Sequence, residues 1–171
     1  MRSLWLLRHA KASRDAAYAD DHARPLTPRG ERAALQVADH LASGDLRPTL
    51  ILCSTAARTR STLEPLLDRL EPPPRVEIDP DLYLASAGQL LARLARVSPA
   101  EKRVLLVGHN PGLHELAVRL ATRGEGAALA RLRTKLPTAA LVRLELDVAQ
   151  WRGVAPGCAA LAELRFPRDP G

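Results

Sequence analysis

Arg8 and His9 stand side by side directly after Leu4-Trp5-Leu6-Leu7. An arginine presents a planar fork of donors suited to phosphate or carboxylate oxygens. A histidine beside it can act as nucleophile, base or acid near neutral pH. Two further stretches carry the same kinds of side chain. Ser54 and Arg58 follow Leu50-Ile51-Leu52-Cys53, and His109 follows Val104-Leu105-Leu106-Val107-Gly108. Two histidines and two arginines facing one pocket repel one another and need a partner when buried. A phosphoryl group meets that need, because its oxygens accept from arginine forks and helix N-terminal amides. Phosphoryl transfer asks mainly for positioning and charge neutralisation. A histidine can also carry the group as a covalent intermediate.

The elements that would position these residues alternate between strand and helix. Each apolar run is short and continuous, as a strand buried on both faces reads. In open α/β sheets ligands sit beyond the carboxyl ends of the strands, so the three loops belong on one sheet edge. Thr27-Pro28 marks a helix start, with Thr as N-cap and Pro in the first turn. Ala34, Val37, Ala38 and Leu41 form its apolar face, and Gly44 ends it. Ser54-Thr55 is expected to open a second helix, with Leu63, Leu66, Leu67 and Leu70 as its stripe and a kink or break at Pro65. Val76-Glu77-Ile78 reads as a short strand near an edge. Ser86 with Gln89 makes a capping box for a third helix, and Leu113, Leu116, Ala117 and Leu120 mark a fourth. A short helix fits 126–133. Val142, Leu144 and Leu146 alternate with Arg143 and Glu145, which predicts a half-exposed strand. The chain from Ala159 to Phe166 is expected to return beside it as an antiparallel edge pair. The expected fold is an α/β three-layer sandwich with a mostly parallel central sheet, antiparallel edge strands near the C-terminus and no large cap. Residues 1–171 are expected to make one domain.

Four ordered motifs between residue 4 and about 115 resemble the histidine phosphatase superfamily, the phosphoglycerate-mutase-like fold. They are Leu6-Leu7-Arg8-His9, Arg24-Pro25-Leu26-Thr27 with Gly30, the Ser54, Arg58, Thr62 spacing, and Val107-Gly108-His109-Asn110-Pro111. The chain is most similar to the small SixA-type phosphohistidine phosphatases. That resemblance implies His9 as the nucleophile, Arg8 and Arg58 as the clamp on the phosphoryl oxygens, and His109 as a further contact that stabilises the transition state. It implies Arg24 as an additional phosphate contact. Ser54 and Lys11 are carried along as candidate substrate-binding residues at the turn and the rim. No metal or cofactor is implied.

The first motif continues as Ala10-Lys11, a form associated with the small branch, where the commonest motif has Gly. Larger relatives of this type carry a glutamate acid in mid-chain, usually with a helical cap. Here no glutamate occupies that place, and Asp81 is the nearest candidate acid. An alkoxide leaving group needs a proton, and general acid catalysis supplies about 10²–10⁴ in rate. An imidazole leaves as a neutral group once protonated. A short chain without a strong acid therefore favours phosphohistidine in a protein as substrate, through a covalent intermediate on His9. The alternatives are a small-molecule phosphomonoesterase, or a non-catalytic module of the same fold that binds a phospho-ligand or nucleic acid.

Apolar residues make up 46% of the 171 and aromatics 3%, so the core is built from Leu, Ala and Val. The net charge of +6 comes mostly from scattered arginines, with lysine only at 11, 102 and 135. An arginine-for-lysine bias accounts for most of the pI of about 10.1 and an anionic substrate for the rest, so no nucleic-acid partner is expected. Cys53 and Cys158 have no metal-type spacing and read as reduced thiols. No run approaches a membrane span and no signal peptide is expected, so the expected location is cytoplasmic. The expected partner is a phosphorylated protein or a small phosphorylated substrate.

Overall fold

The computed structural model describes residues 1–15, 17 and 20–168. Seven strands form one sheet: β1 (Arg2–Arg8), β2 (Leu50–Ser54), β3 (Arg75–Asp79), β4 (Arg103–Gly108), β5 (Ala121–Arg123), β6 (Leu141–Leu146) and β7 (Ala159–Arg165). Their order across the sheet is β3-β2-β4-β1-β6-β7-β5. β1 to β4 run parallel to one another, and β6 runs antiparallel to both β1 and β7.

Residues of odd number in β1, β2 and β4, such as Trp5, Leu7, Ile51, Cys53 and Val107, face one helical layer. Those of even number, such as Leu4, Leu6, Leu52 and Leu106, face the other. Period-two alternation between two apolar layers is why these strands are apolar throughout. Two helices, α1 (Pro28–Ser43) and α2 (Ala57–Leu67), cover the first face. Three more, α3 (Ala87–Ala95), α4 (Gly112–Leu120) and α5 (Gly126–Thr134), cover the second. Each fully buried leucine contributes about 1.5–3 kcal/mol to this packing.

Local signals account for the helix boundaries. Thr27 caps α1 by accepting from the Gly30 amide, and Ala34, Val37, Ala38 and Leu41 are its buried face. The Ser86–Gln89 capping box opens α3 with both hydrogen bonds formed. Ser54-Thr55 does not open α2: Ser54 is the last residue of β2 and the helix starts at Ala57. Pro65 does not break that helix, which continues to Leu67. Its missing amide falls in the last turn, where little helix remains to be lost. The Pro65 carbonyl accepts from Arg69 Nη1 at 2.7 Å.

The two C-terminal strands pair antiparallel as expected, but the pair does not form the sheet edge. β6 lies inside the sheet, with Val142, Leu144 and Leu146 buried. Its alternate residues are half-buried in a polar network rather than solvated. Glu145 accepts from Ser3 Oγ at 2.8 Å and pairs with Arg143 at 2.7 Å, and Glu163 pairs with His40 of the chain. The edge beyond β7 is the short β5, parallel to it, which the sequence did not show. Among the described residues no helix is long and apolar enough to cross a membrane.

Candidate active site

Strand register brings the site together. Leu7 pairs with Val107 and Arg8 with Gly108, so His9 and His109 leave the sheet as neighbours. Their ring centroids are 5.3 Å apart. Cys53 also pairs with Val107, which sets Ser54 beside the same turn. Ser54 Oγ lies 2.7 Å from His109 Nε2. Four residues on, Arg58 lies in the first turn of α2, and one turn later Thr62 accepts from the Ala10 amide at 2.9 Å. The Ser54, Arg58, Thr62 spacing thus ties β2 and α2 to the loop that carries His9.

Arg8, His9, Arg58 and His109 line a cavity of about 1000 Å³, together with Lys11, Asp21, Arg24 and Asn110, while Ser54 and Thr62 lie behind them, outside its lining. His9, Arg58 and His109 are 7%, 2% and 3% exposed. His9 Nδ1 lies 2.7 Å from the Ala10 carbonyl oxygen. A carbonyl only accepts, so Nδ1 carries the proton and Nε2 keeps its lone pair. Burial, opposed in part by the Ala10 hydrogen bond, and the Arg58, Arg8 and Arg24 guanidiniums hold the His9 pKa down to about 4. At neutral pH the ring is therefore uncharged and nucleophilic at Nε2.

His109 is uncharged for the same reasons: burial, then Arg58 and His9, push it to about 3. Ser54 Oγ accepts from the Ala56 amide at 3.3 Å and keeps a proton that it can donate to His109 Nε2. His109 Nδ1 is buried and without a partner among the described residues, and it carries the ring proton when Ser54 is the donor. Arg8 Nε, Arg58 Nε and Asn110 Oδ1 are buried without a partner in the same region. Unpaired buried polar atoms are costly; the Arg8 and Arg58 side chains also line the cavity, where a tetrahedral oxyanion is the ligand that their forks would take.

Two features of the site had no signal in the sequence. Asp21 reads as a solvated loop residue, yet it is the one carboxylate among the described residues lining the cavity. Its Oδ2 accepts from Arg58 Nη2 at 3.1 Å and from the Tyr83 hydroxyl, and its Oδ1 accepts from Arg24 Nε at 3.0 Å. The Tyr83 hydrogen bond, with Arg24 and Arg58, holds Asp21 down to about 2, against some desolvation. The second feature is the loop between α5 and β6. The Leu136 carbonyl accepts from Arg8 Nη1 at 3.1 Å and from Asn110 Nδ2 at 2.8 Å. Ala139 pins that loop by donating to the Arg8 and His9 carbonyls, with its own φ at 60° in the left-handed region. A run of Leu-Pro-Thr-Ala-Ala gives no hint of either contact.

Asp81 does not reach the cavity. It lies exposed in a 3-10 turn (Pro80–Leu82), with its amide held by Asp79 Oδ1 at 2.8 Å. Lys11 is exposed at the rim, and Arg24 is half-buried, its Nη1 on the Ser13 carbonyl at 2.8 Å. Among the described residues no three of His, Cys, Asp and Glu gather as a metal ion would need.

A mostly parallel sheet that presents two histidines and two arginines at one carboxyl edge defines an anion-handling α/β fold. Residues 4–90 match the model of the histidine phosphatase superfamily, branch 1. The chain is 40% identical, over 95% of its own length, to the whole of the uncharacterized protein Rv1276c of Mycobacterium tuberculosis strain ATCC 25618 / H37Rv. Among solved structures it is similar to a candidate phosphohistidine phosphatase SixA from Nakamurella multipartitia. That likeness has a TM-score of 0.84 and 30% identity, covering 97% of this chain and 96% of that one. A SixA candidate from Agrobacterium tumefaciens follows, with a TM-score of 0.81, 29% identity, and 97% and 98% of the two chains covered. The chain belongs to the histidine phosphatase superfamily and is a hydrolase of the phosphatase class.

Proposed function

We propose that the protein hydrolyses phosphohistidine in proteins through a covalent phosphoryl group on His9. The observation that carries this reading is the Nδ1–H of His9 on the Ala10 carbonyl, which leaves Nε2 as a neutral nucleophile beside buried guanidiniums. Nε2 attacks phosphorus, the substrate's P–N bond breaks, and the substrate imidazole, already protonated from solvent on its other ring nitrogen, departs as a neutral group. Water then attacks phospho-His9, releasing inorganic phosphate and returning the His9 lone pair. Arg8 and Arg58 clamp the non-bridging oxygens through transfer. His109 donates Nδ1–H to one of them, and Ser54 keeps it in the tautomer that can do so. Arg24 adds charge from the loop, and Lys11 meets the substrate at the rim.

The leaving group follows from the carboxylates. Asp21, held at about 2, stays ionised at neutral pH and gives up no proton, while Asp81 lies outside the cavity. An alkoxide would leave without help, whereas a protonated imidazole needs none. The structures named as SixA point to the same substrate class.

The test is phosphate release from a histidine-phosphorylated protein in EDTA, with wild type and His9→Ala in parallel. Release by wild type alone, with an acid-labile phosphoenzyme that His9→Ala does not form, is the expected result. Turnover of p-nitrophenyl phosphate but not of the phosphoprotein would move the reading to a small-molecule phosphomonoesterase. Equal release by both proteins would remove His9 as nucleophile.

A further inference from the structure

The charges around the cavity divide into two sets. Arg8, Arg24 and Arg58 belong to the phosphoryl site, and Asp21 balances two of them. Outside them the lining includes Lys11, Arg14, Arg32, Lys135 and Arg168, all exposed. They come from separate parts of the chain: the loop after β1, the solvent side of α1, the end of α5 and the segment after β7. No described carboxylate lies within ion-pair distance of any of the five. Elsewhere some cations are paired: Arg69 with Asp39, Arg93 with Glu77 and Asp79, Arg143 with Glu145. Five such cations therefore surround one opening whose described lining holds a single carboxylate, Asp21, while others, such as Arg47, Arg60, Arg119 and Arg152, lie apart on the surface.

One phosphoryl group cannot use this charge, since the buried arginines already meet its oxygens and the cavity is far larger than that group. We propose that the ring is a docking surface for a protein partner whose surface around its phosphohistidine carries carboxylates. The proposal rests on the phosphohistidine reading above and adds the chemistry of the partner. A phosphohistidine on a folded protein arrives with its neighbours, so cations around the opening meet those neighbours while the buried arginines meet the phosphoryl group. Opposed charge of this kind raises association rates and suppresses wrong partners, and salt screens it. A nucleic acid is disfavoured by the lining. Strand binders stack bases on aromatic platforms along a basic groove. Here the only phenyl or indole ring among the described lining residues is Phe166, and it is engaged by Arg131, 4.5 Å from its centroid.

The experiment uses two peptides, each with one chemically phosphorylated histidine, flanked by glutamates in one and glutamines in the other. Free phosphohistidine is the third substrate. The enzymes are wild type and the triple variant Arg14→Gln/Arg32→Gln/Lys135→Gln. Wild type should favour the glutamate peptide in kcat/KM by about tenfold or more at low salt, within the range of electrostatic steering. Added salt should erase the preference. The triple variant should lose it while hydrolysing free phosphohistidine as wild type does. Equal rates on the two peptides, or an equal loss on all three substrates, would overturn the proposal. Binding of the unphosphorylated peptides, followed by fluorescence anisotropy, separates the two readings. Selective glutamate-peptide binding without any hydrolysis would leave the docking surface standing and sink the phosphohistidine reading. Hydrolysis with no such selectivity would do the reverse. Tighter binding of a single-stranded oligonucleotide than of the glutamate peptide would reassign the ring to nucleic acid.

Discussion

His9 and His109 are buried bases kept neutral by burial and by the guanidiniums around them. Unfolding would restore both to an ordinary histidine pKa near 6.5. The folded values are the lower ones, so the unfolded chain binds more protons between about pH 6.5 and 4. Stability should be full above 6.5 and decline as pH falls through that window, with no loss on the alkaline side. Urea unfolding from pH 8 to 4 measures this, and His9→Gln should flatten the acid slope. An unchanged slope in that variant would mean that His9 titrates normally. Arg8, His9 and His109 could be placed at strand ends, and Arg58 just beyond one, from their neighbours in sequence. Asp21 could not, because its role depends on Arg58, Arg24 and Tyr83, which reach it only through the folded chain.

Helix α1 reaches the site by backbone contact. The Lys11 carbonyl accepts from the Thr27 amide at 2.9 Å, two residues after His9. A Cβ on Gly30 would sit 2.1 Å from that same oxygen. This close approach explains a glycine inside the first turn of a helix, where glycine is otherwise costly. Gly30→Ala would push α1 off the loop that carries His9. Overpacking of this kind costs about 1–3 kcal/mol, so the urea midpoint should fall, and turnover should fall with it. A variant that keeps wild-type stability and turnover would show that the loop yields freely. Helix starts and apolar faces could be read from local chemistry, since caps and periodicity are properties of a few adjacent residues. The start of α2 could not, because Ser54 is held in β2 by its pairing with Asp79 of β3, a contact the local sequence does not show.

At the scale of the molecule, the candidate site lies at the carboxyl end of β1 and a structural anchor lies at its other end. Beside the start of β1, Trp151 is fully buried and its Nε1 donates to the Glu101 carbonyl at 2.5 Å. Arg2 donates to the same carbonyl at 2.8 Å and lies over the Trp151 ring at 5.7 Å. Trp151→Ala should cost about 3–5 kcal/mol, seen as a lowered melting temperature. Below that transition kcat should be unchanged, since no site residue touches Trp151. A loss of kcat in the folded variant would show that the two ends are coupled.

By itself the sequence determined the alternation of strands and helices, the caps, and the order of the motifs that place the chain in its family. Each depends on neighbouring residues or on periodicity along the chain. Only the tertiary structure decided which strand lies beside which. It put β6 inside the sheet, because β6 pairs with β1 on one side and β7 on the other. It put Asp21 and the Leu136 carbonyl into the site, and left Asp81 outside it. Those outcomes rest on contacts between residues far apart in the chain, and side-chain type alone does not encode which of them will meet.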